Sequence, residues 1–194
     1  MFSLYGFFIG ISIVVFLNYF EKHQKGTPYA LIILSFLGAR LFYVATHLSY
    51  YLQNSKQILN TRAGGMGIFG GIIFALIYLL IYCKIKKIYF IKFTDSFVTI
   101  LPLCQSIGRI GNIINHEIYP VCIYESVLDF ILFLILLKSK NKQTAIFLIG
   151  YSFIRLILEQ FRLDALPYYL GSIFSILGII IGIILLNDHH LSRR

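Results

Sequence analysis

The chain has 194 residues, 58% of them hydrophobic and only 13% charged, with a mean hydropathy of +0.81. An ordinary soluble domain is about 25% charged, so this composition excludes one and specifies an integral membrane protein. The formal net charge of +9 does not point to nucleic acid, because the basic residues form short clusters between apolar runs, with no long basic face and no RNA-binding motif.

Apolar runs at 2–20, 28–50, 66–83, 93–113, 121–137, 144–163 and 167–186 each meet or approach the roughly 20 residues a bilayer crossing needs. The expectation is an all-α, polytopic protein of about seven transmembrane helices forming a single domain over 1–194. The fourth and sixth runs are the least apolar and are candidates for broken or re-entrant spans. Of 17 basic residues, Lys22, Lys25, Lys84, Lys86, Lys87, Lys92, Lys138, Lys140, Lys142, Arg193 and Arg194 fall in one set of alternate loops and the C-terminal tail. Lys56, Arg62 and Arg162 fall on the other face. The positive-inside rule then predicts the N-terminus outside and the C-terminus in the cytoplasm. Phe2 to Phe20 lacks a basic n-region and a small-residue cleavage site, so it reads as a retained span.

In chain order, the first run places Tyr5 at the outer interface. The second carries Arg40 between small residues, Gly38-Ala39-Arg40, open to two readings, snorkelling or a site. Arg62-Ala63-Gly64-Gly65-Met66-Gly67-Ile68-Phe69-Gly70-Gly71 admits two readings as well. It is either close helix packing or irregular backbone offering N–H groups to an anion. Cys83, Cys104 and Cys122 show no Cys-x-x-Cys pair and no histidine at metal spacing, so they read as small buried hydrophobes, and no metal or cofactor is expected.

The most informative stretch is Gly108-Arg109-Ile110-Gly111-Asn112-Ile113-Ile114-Asn115-His116-Glu117. A charged side chain at helix-centre depth costs roughly 2.5 to 3.5 kcal/mol on insertion scales, so such residues usually pair and mark a site. On a continuous helix Arg109, Asn112 and His116 share one face. Pro120 suits the first turn of the next helix. The sixth run carries Tyr151, Arg155, Glu159 and Arg162 within an arc of about 80 degrees, a polar stripe that is either an ion-pair ladder or a site with one arginine to spare. Arginine's planar fork of donors suits phosphate. The residues therefore point to a lipid-phosphate site open to the outer leaflet. No Gly-x-Ser-x-Gly elbow or His-Glu-x-x-His motif is present, which favours direct displacement aided by positioning and charge.

Tyr5-Gly6, Gly38-Ala39-Arg40, Gly64-Gly65-Met66 with Gly70-Gly71, Gly108 to Asn112 with Asn115 and Glu117, Tyr124-Glu125, and the Tyr151/Arg155/Glu159/Arg162 stripe resemble, in order, the motifs of the bacterial prolipoprotein diacylglyceryl transferases. The resemblance implies a seven-span enzyme of the bacterial cytoplasmic membrane. It would move the diacylglyceryl group of phosphatidylglycerol onto the lipobox cysteine thiol of a prolipoprotein, releasing glycerol phosphate. It also implies catalytic roles for Arg109, Arg155, Asn112, Tyr5, Glu117 and Glu159, the two glutamates orienting the arginines, and lipid contacts from Arg109, Arg155, Asn112, Gly70 and Arg40. The sequence departs from the family pattern twice. Phe69 stands where the family has a histidine assigned to activating the thiol, leaving His116 or the arginine field as the alternatives, and no outer head segment separates Glu117 from Pro120. A family-derived protein that binds anionic lipid without catalysis is the other function left open.

Overall fold

The computed structural model describes residues 4–24, 28–61, 64–115, 119–161 and 168–188, and these are helical or connecting segments with no strand among them. In chain order the helices are α1 (Leu4–His23), α2 (Pro28–Thr46), α3 (Leu48–Gln53), α4 (Ile68–Lys86), α5 (Phe90–Val98), α6 (Leu101–Ile114), α7 (Val121–Lys138), α8 (Gln143–Leu158) and α9 (Tyr168–Asn187). Short 3-10 turns occupy Ser55–Leu59 and Glu159–Phe161.

Each apolar run meets a helix, but not every helix meets the crossing requirement. Four do: α1, α2, α4, and α8 with its 3-10 extension to Phe161. A fifth is the pair α5 and α6, bent by 47°. The break has a covalent cause, because Pro102 in the first turn of α6 has no N–H to carry a helix through the junction. The fourth run is thus broken, as its composition allowed. α7 carries Glu125, Asp129 and Lys138 within 18 residues, and the described apolar part of α9, Gly171–Asn187, is short. By length and composition four or five of the described helices pass as crossings.

The chain divides into two compact units, one formed by Met1–Gln24 with Ile91–Arg194 and one by Lys25–Phe90. In the first, α1 packs on α6, α6 on α7, α7 on α8, and α8 on α9. The seams are made by small polar groups. Ser12 Oγ donates to the Cys104 carbonyl (3.0 Å), and Cys104 Sγ donates back to that of Ser12 (3.4 Å). Ser126 Oγ donates to the Ser106 carbonyl (3.0 Å), and the Thr94 and Thr144 hydroxyls are 2.9 Å apart. Helices in lipid gain little by burying leucine against leucine, so small residues and shared hydrogen bonds mark their contacts. The outward faces agree, with Ile72, Leu80, Ile176 and Ile184 exposed while Asn112, Glu125, Asp129 and Glu159 are buried.

In the second unit α2 lies along α4, closest at Gly38 and Gly70. A Cβ added to Gly70 would overlap the Gly38 carbonyl, and one added to Gly38 would come within 2.5 Å of the Gly70 carbonyl. Gly70, expected at the lipid site, instead packs helix on helix, and its N–H bonds to the Gly67 carbonyl (3.1 Å). Gly70→Ala should lower the unfolding temperature in detergent by the equivalent of about 1–3 kcal/mol, the usual cost of overpacking. An unchanged midpoint would contradict so close an approach.

Candidate active site

α6, α7 and α8 are antiparallel neighbours in sequence, so the C-terminal half of α6, the N-terminal half of α7 and the last turn of α8 come to one end of the first unit. Glu125 there joins two arginines: Arg109 Nε lies 2.8 Å from its Oε2 and Arg155 Nη1 3.0 Å from its Oε1. Arg155 continues the chain through Nη2 to Glu159 Oε2 at 2.5 Å. Glu125 and Glu159 are each 2% exposed, whereas both arginine side chains keep 22%. A carboxylate taken out of water costs several kcal/mol unless paired, so the two acids hold the arginines as firmly as the arginines permit the acids. Glu159 is sheltered by Gly171, whose missing side chain leaves room that a Cβ would take from the carboxylate.

Five N–H donors belong to each guanidinium. Arg109 pairs with Glu125 by charge through Nε, and Arg155 commits one donor each to Glu125 and Glu159. Neither arginine has another partner among the described residues. Each therefore keeps donors for an incoming anion. Tyr5 packs against Gly111 of α6, where a Cβ would stand 2.9 Å from Tyr5 Cδ2. Asn112, the next residue of α6, is buried at 7% exposure.

Arg40 is used differently. Nε donates to the Ile58 carbonyl (2.8 Å), Nη1 to those of Gly64 and Gly65 (2.9 and 2.7 Å), and Nη2 to those of Gln57 and Asn60 (2.6 and 3.0 Å). All five donors are consumed, and the group is buried at 8% exposure with its carbon 5.3 Å from the Tyr51 ring centre. Gly64 and Gly65, at φ +85° and +80°, take the left-handed conformation that glycine permits, and their carbonyls turn onto the cation. The glycine-rich stretch thus offers carbonyls to a guanidinium rather than N–H groups to an anion. Arg40 is assigned to bracing the 57–65 segment and has no donor left for lipid phosphate. Arg40→Ala should raise proteolysis or amide exchange in this segment at least tenfold, since hydrogen bonds to a charged group contribute about 1.5–3 kcal/mol. Unchanged protection would refute the brace.

Phe69 packs on Phe42, ring centres 6.2 Å apart, and can accept no proton. α6 stops at Ile114, and among the described residues the shared helical face carries Arg109 and Asn112. His116, Glu117 and Arg162 lie outside the described residues. An orienting role of the kind the resemblance implies for Glu117 and Glu159 falls to Glu125, which contacts both arginines. Its signal was a carboxylate inside an apolar run, repeated one turn later by Asp129, and intramembrane carboxylates mark sites by default.

The family model for prolipoprotein diacylglyceryl transferase matches residues 1–187. The chain is 38% identical to a phosphatidylglycerol–prolipoprotein diacylglyceryl transferase of Clostridioides difficile, over 75% of this chain and 70% of that one. It is 33% identical to the protein of that name in Finegoldia magna, over 93% and 86%, and 32% identical to that of Bacillus cytotoxicus, over 93% and 85%. With this match over nearly the whole chain, and Arg109 and Arg155 joined through buried Glu125, the chain belongs to the prolipoprotein diacylglyceryl transferase family.

Proposed function

We propose that this chain transfers the diacylglyceryl group of phosphatidylglycerol to the cysteine thiol of a prolipoprotein lipobox, forming a thioether in the first step of lipoprotein maturation. The observation that carries the reading is the unspent donors of Arg109 and Arg155 beside a shared buried carboxylate. Two guanidinium forks fixed by Glu125 and Glu159 form a preorganised seat for one phosphate, and Asn112 and Tyr5 complete it. The reaction cleaves the bond between the glyceryl carbon and the phosphate oxygen while sulfur bonds to that carbon. Charge grows on the departing phosphate, and donors already in place lower that barrier without reorganising. A thiol attacking carbon directly needs no covalent enzyme intermediate.

The same reading places the protein in the bacterial cytoplasmic membrane, crossing it about seven times, N-terminus out and C-terminus in, with the Asn112 end of α6 at the outer leaflet. The eleven-to-three division of loop basic residues supports that orientation. The alignment with the Finegoldia magna relative spans 214 positions but covers only 93% of this 194-residue chain, so the relative carries residues with no counterpart here. That supports a compact family member lacking the outer head segment. Phe69 favours a second reading, lipid binding without transfer. Expression in a bacterium depleted of its own transferase separates the two: restored lipoprotein modification and growth supports transfer, and failure to restore either with the protein present in the membrane supports binding alone.

A further inference from the structure

A second polar layer lies one helical turn from the arginine cluster, toward the middle of α7 and α8 and the start of α6. α6 carries Gln105 four residues before Arg109, α7 carries Asp129 four after Glu125, and α8 carries Tyr151 four before Arg155. Four residues is about 6 Å along a helix. Because α7 runs opposite to α6 and α8, all three steps go the same way.

This layer is unsatisfied. Asp129 is 2% exposed, and its Oδ1 and the buried Oε1 of Gln105 receive no hydrogen bond from the described residues. Nine in ten or more buried polar groups in native structures have a partner, and an unmet acceptor in a low-dielectric interior is costly. Both orphans are acceptors, so what completes them is a donor. The phosphate and ester groups of the lipid offer acceptors only, and its head-group hydroxyls lie beyond the phosphate. The second substrate brings an S–H. In an in-line displacement the sulfur stands across the reacting carbon from the leaving oxygen, roughly 5 Å from the phosphate, about the separation of one helical turn. With phosphate at the guanidinium cluster, the thiol falls at the second layer.

We propose that Asp129 takes the proton of the acceptor thiol, with the Gln105 amide oxygen as the other open acceptor of this layer. The inference rests on the reading that Arg109 and Arg155 hold the lipid phosphate. The S–H proton passes to Asp129 Oδ1 as sulfur's electron pair bonds to the glyceryl carbon. The carbon–oxygen pair leaves on the phosphate oxygen, and the departing glycerol phosphate or water then takes the proton from Asp129. The charged and titratable groups that face Asp129 are Arg109 from α6, Glu125 from its own helix, and Arg155 and Tyr151 from α8.

The test uses full-length protein in phosphatidylglycerol vesicles with a lipobox peptide, from pH 6 to 9. Asp129→Asn should lower the rate at pH 7 by about 100-fold, the lower scale for loss of a general base, with the KM for phosphatidylglycerol unchanged. Its residual rate should climb roughly tenfold per pH unit toward the free thiol's pKa of about 8.5. Asp129→Glu should keep most activity, and a selenocysteine lipobox peptide, ionised without help, should restore the rate of Asp129→Asn. Equal loss at every pH with both peptides would make Asp129 structural and overturn the assignment. So would a wild-type rate in Asp129→Asn, or the same pH slope produced by His116→Ala instead. Full lipid affinity in Arg109→Lys and Arg155→Lys would sink the phosphate reading on its own, because the pH slope of Asp129→Asn does not depend on that measurement.

Discussion

Glu125→Gln is expected to remove transfer activity by at least a hundredfold and to lower thermal stability in the same preparation. The carboxylate is the only group among the described residues that touches both Arg109 and Arg155. A neutral amide keeps the shape but leaves two half-buried guanidinium groups with one partner fewer, and breaking a buried ion pair from one side costs about 3–5 kcal/mol. The amide also presents a donor where each arginine presents one, so one contact becomes repulsive. Activity is read as diacylglyceryl peptide formed and stability as the detergent unfolding midpoint. Activity within threefold of wild type would mean that the bridge does not position the arginines.

Arg109→Lys and Arg155→Lys should each lose about a hundredfold or more although the charge is retained. Lysine is a compact point charge with three donors on one nitrogen, whereas Arg155 spans Glu125 and Glu159 from two nitrogens and still keeps donors in hand. An ammonium group that satisfies the two glutamates has little left to direct at phosphate. Arg155→Lys should be the worse of the two, because it releases two buried acids rather than one. Since Glu125 joins both arginines, Glu125→Gln combined with Arg155→Lys should cost little more than the worse single change, the non-additivity expected of residues in one network. Lysine variants with near-normal rates would show that net charge, not fork geometry, is what the site uses.

What the residues revealed in advance follows from what each signal measures. Apolar length located the long helices, and the weak apolarity of the fourth run allowed the break between α5 and α6, because both are properties of the local chain. The pairing of Arg155 with Glu159 was readable too, as a one-turn spacing on one helix. Glu125 could not be chosen over Glu117 as the bridge, because both flank the same turn and only the packing of α7 between α6 and α8 decides which carboxylate reaches both arginines. Arg40 misled for a related reason. An arginine inside an apolar run signals that something must satisfy it, and sequence cannot tell a lipid phosphate from five carbonyls of a glycine-rich segment 17 to 25 residues away. The expected surplus of arginine charge counted Arg162, which lies outside the described residues; among those described, α7 adds Glu125 and Asp129 to Glu159 near Arg109 and Arg155. What distinguishes the site is therefore its uncommitted arginine donors rather than a net positive charge.

The central claim is that these donors serve transfer and not merely lipid binding. The most direct measurement is incubation of the purified protein with phosphatidylglycerol vesicles and a lipobox peptide, followed by mass spectrometry of the peptide, with a cysteine-to-serine peptide as control. The account predicts a mass increase of one diacylglyceryl group on the cysteine peptide alone, released glycerol phosphate in equal amount, and loss of both with Arg155→Lys. An unmodified peptide, with phosphatidylglycerol bound and the protein folded, would contradict it.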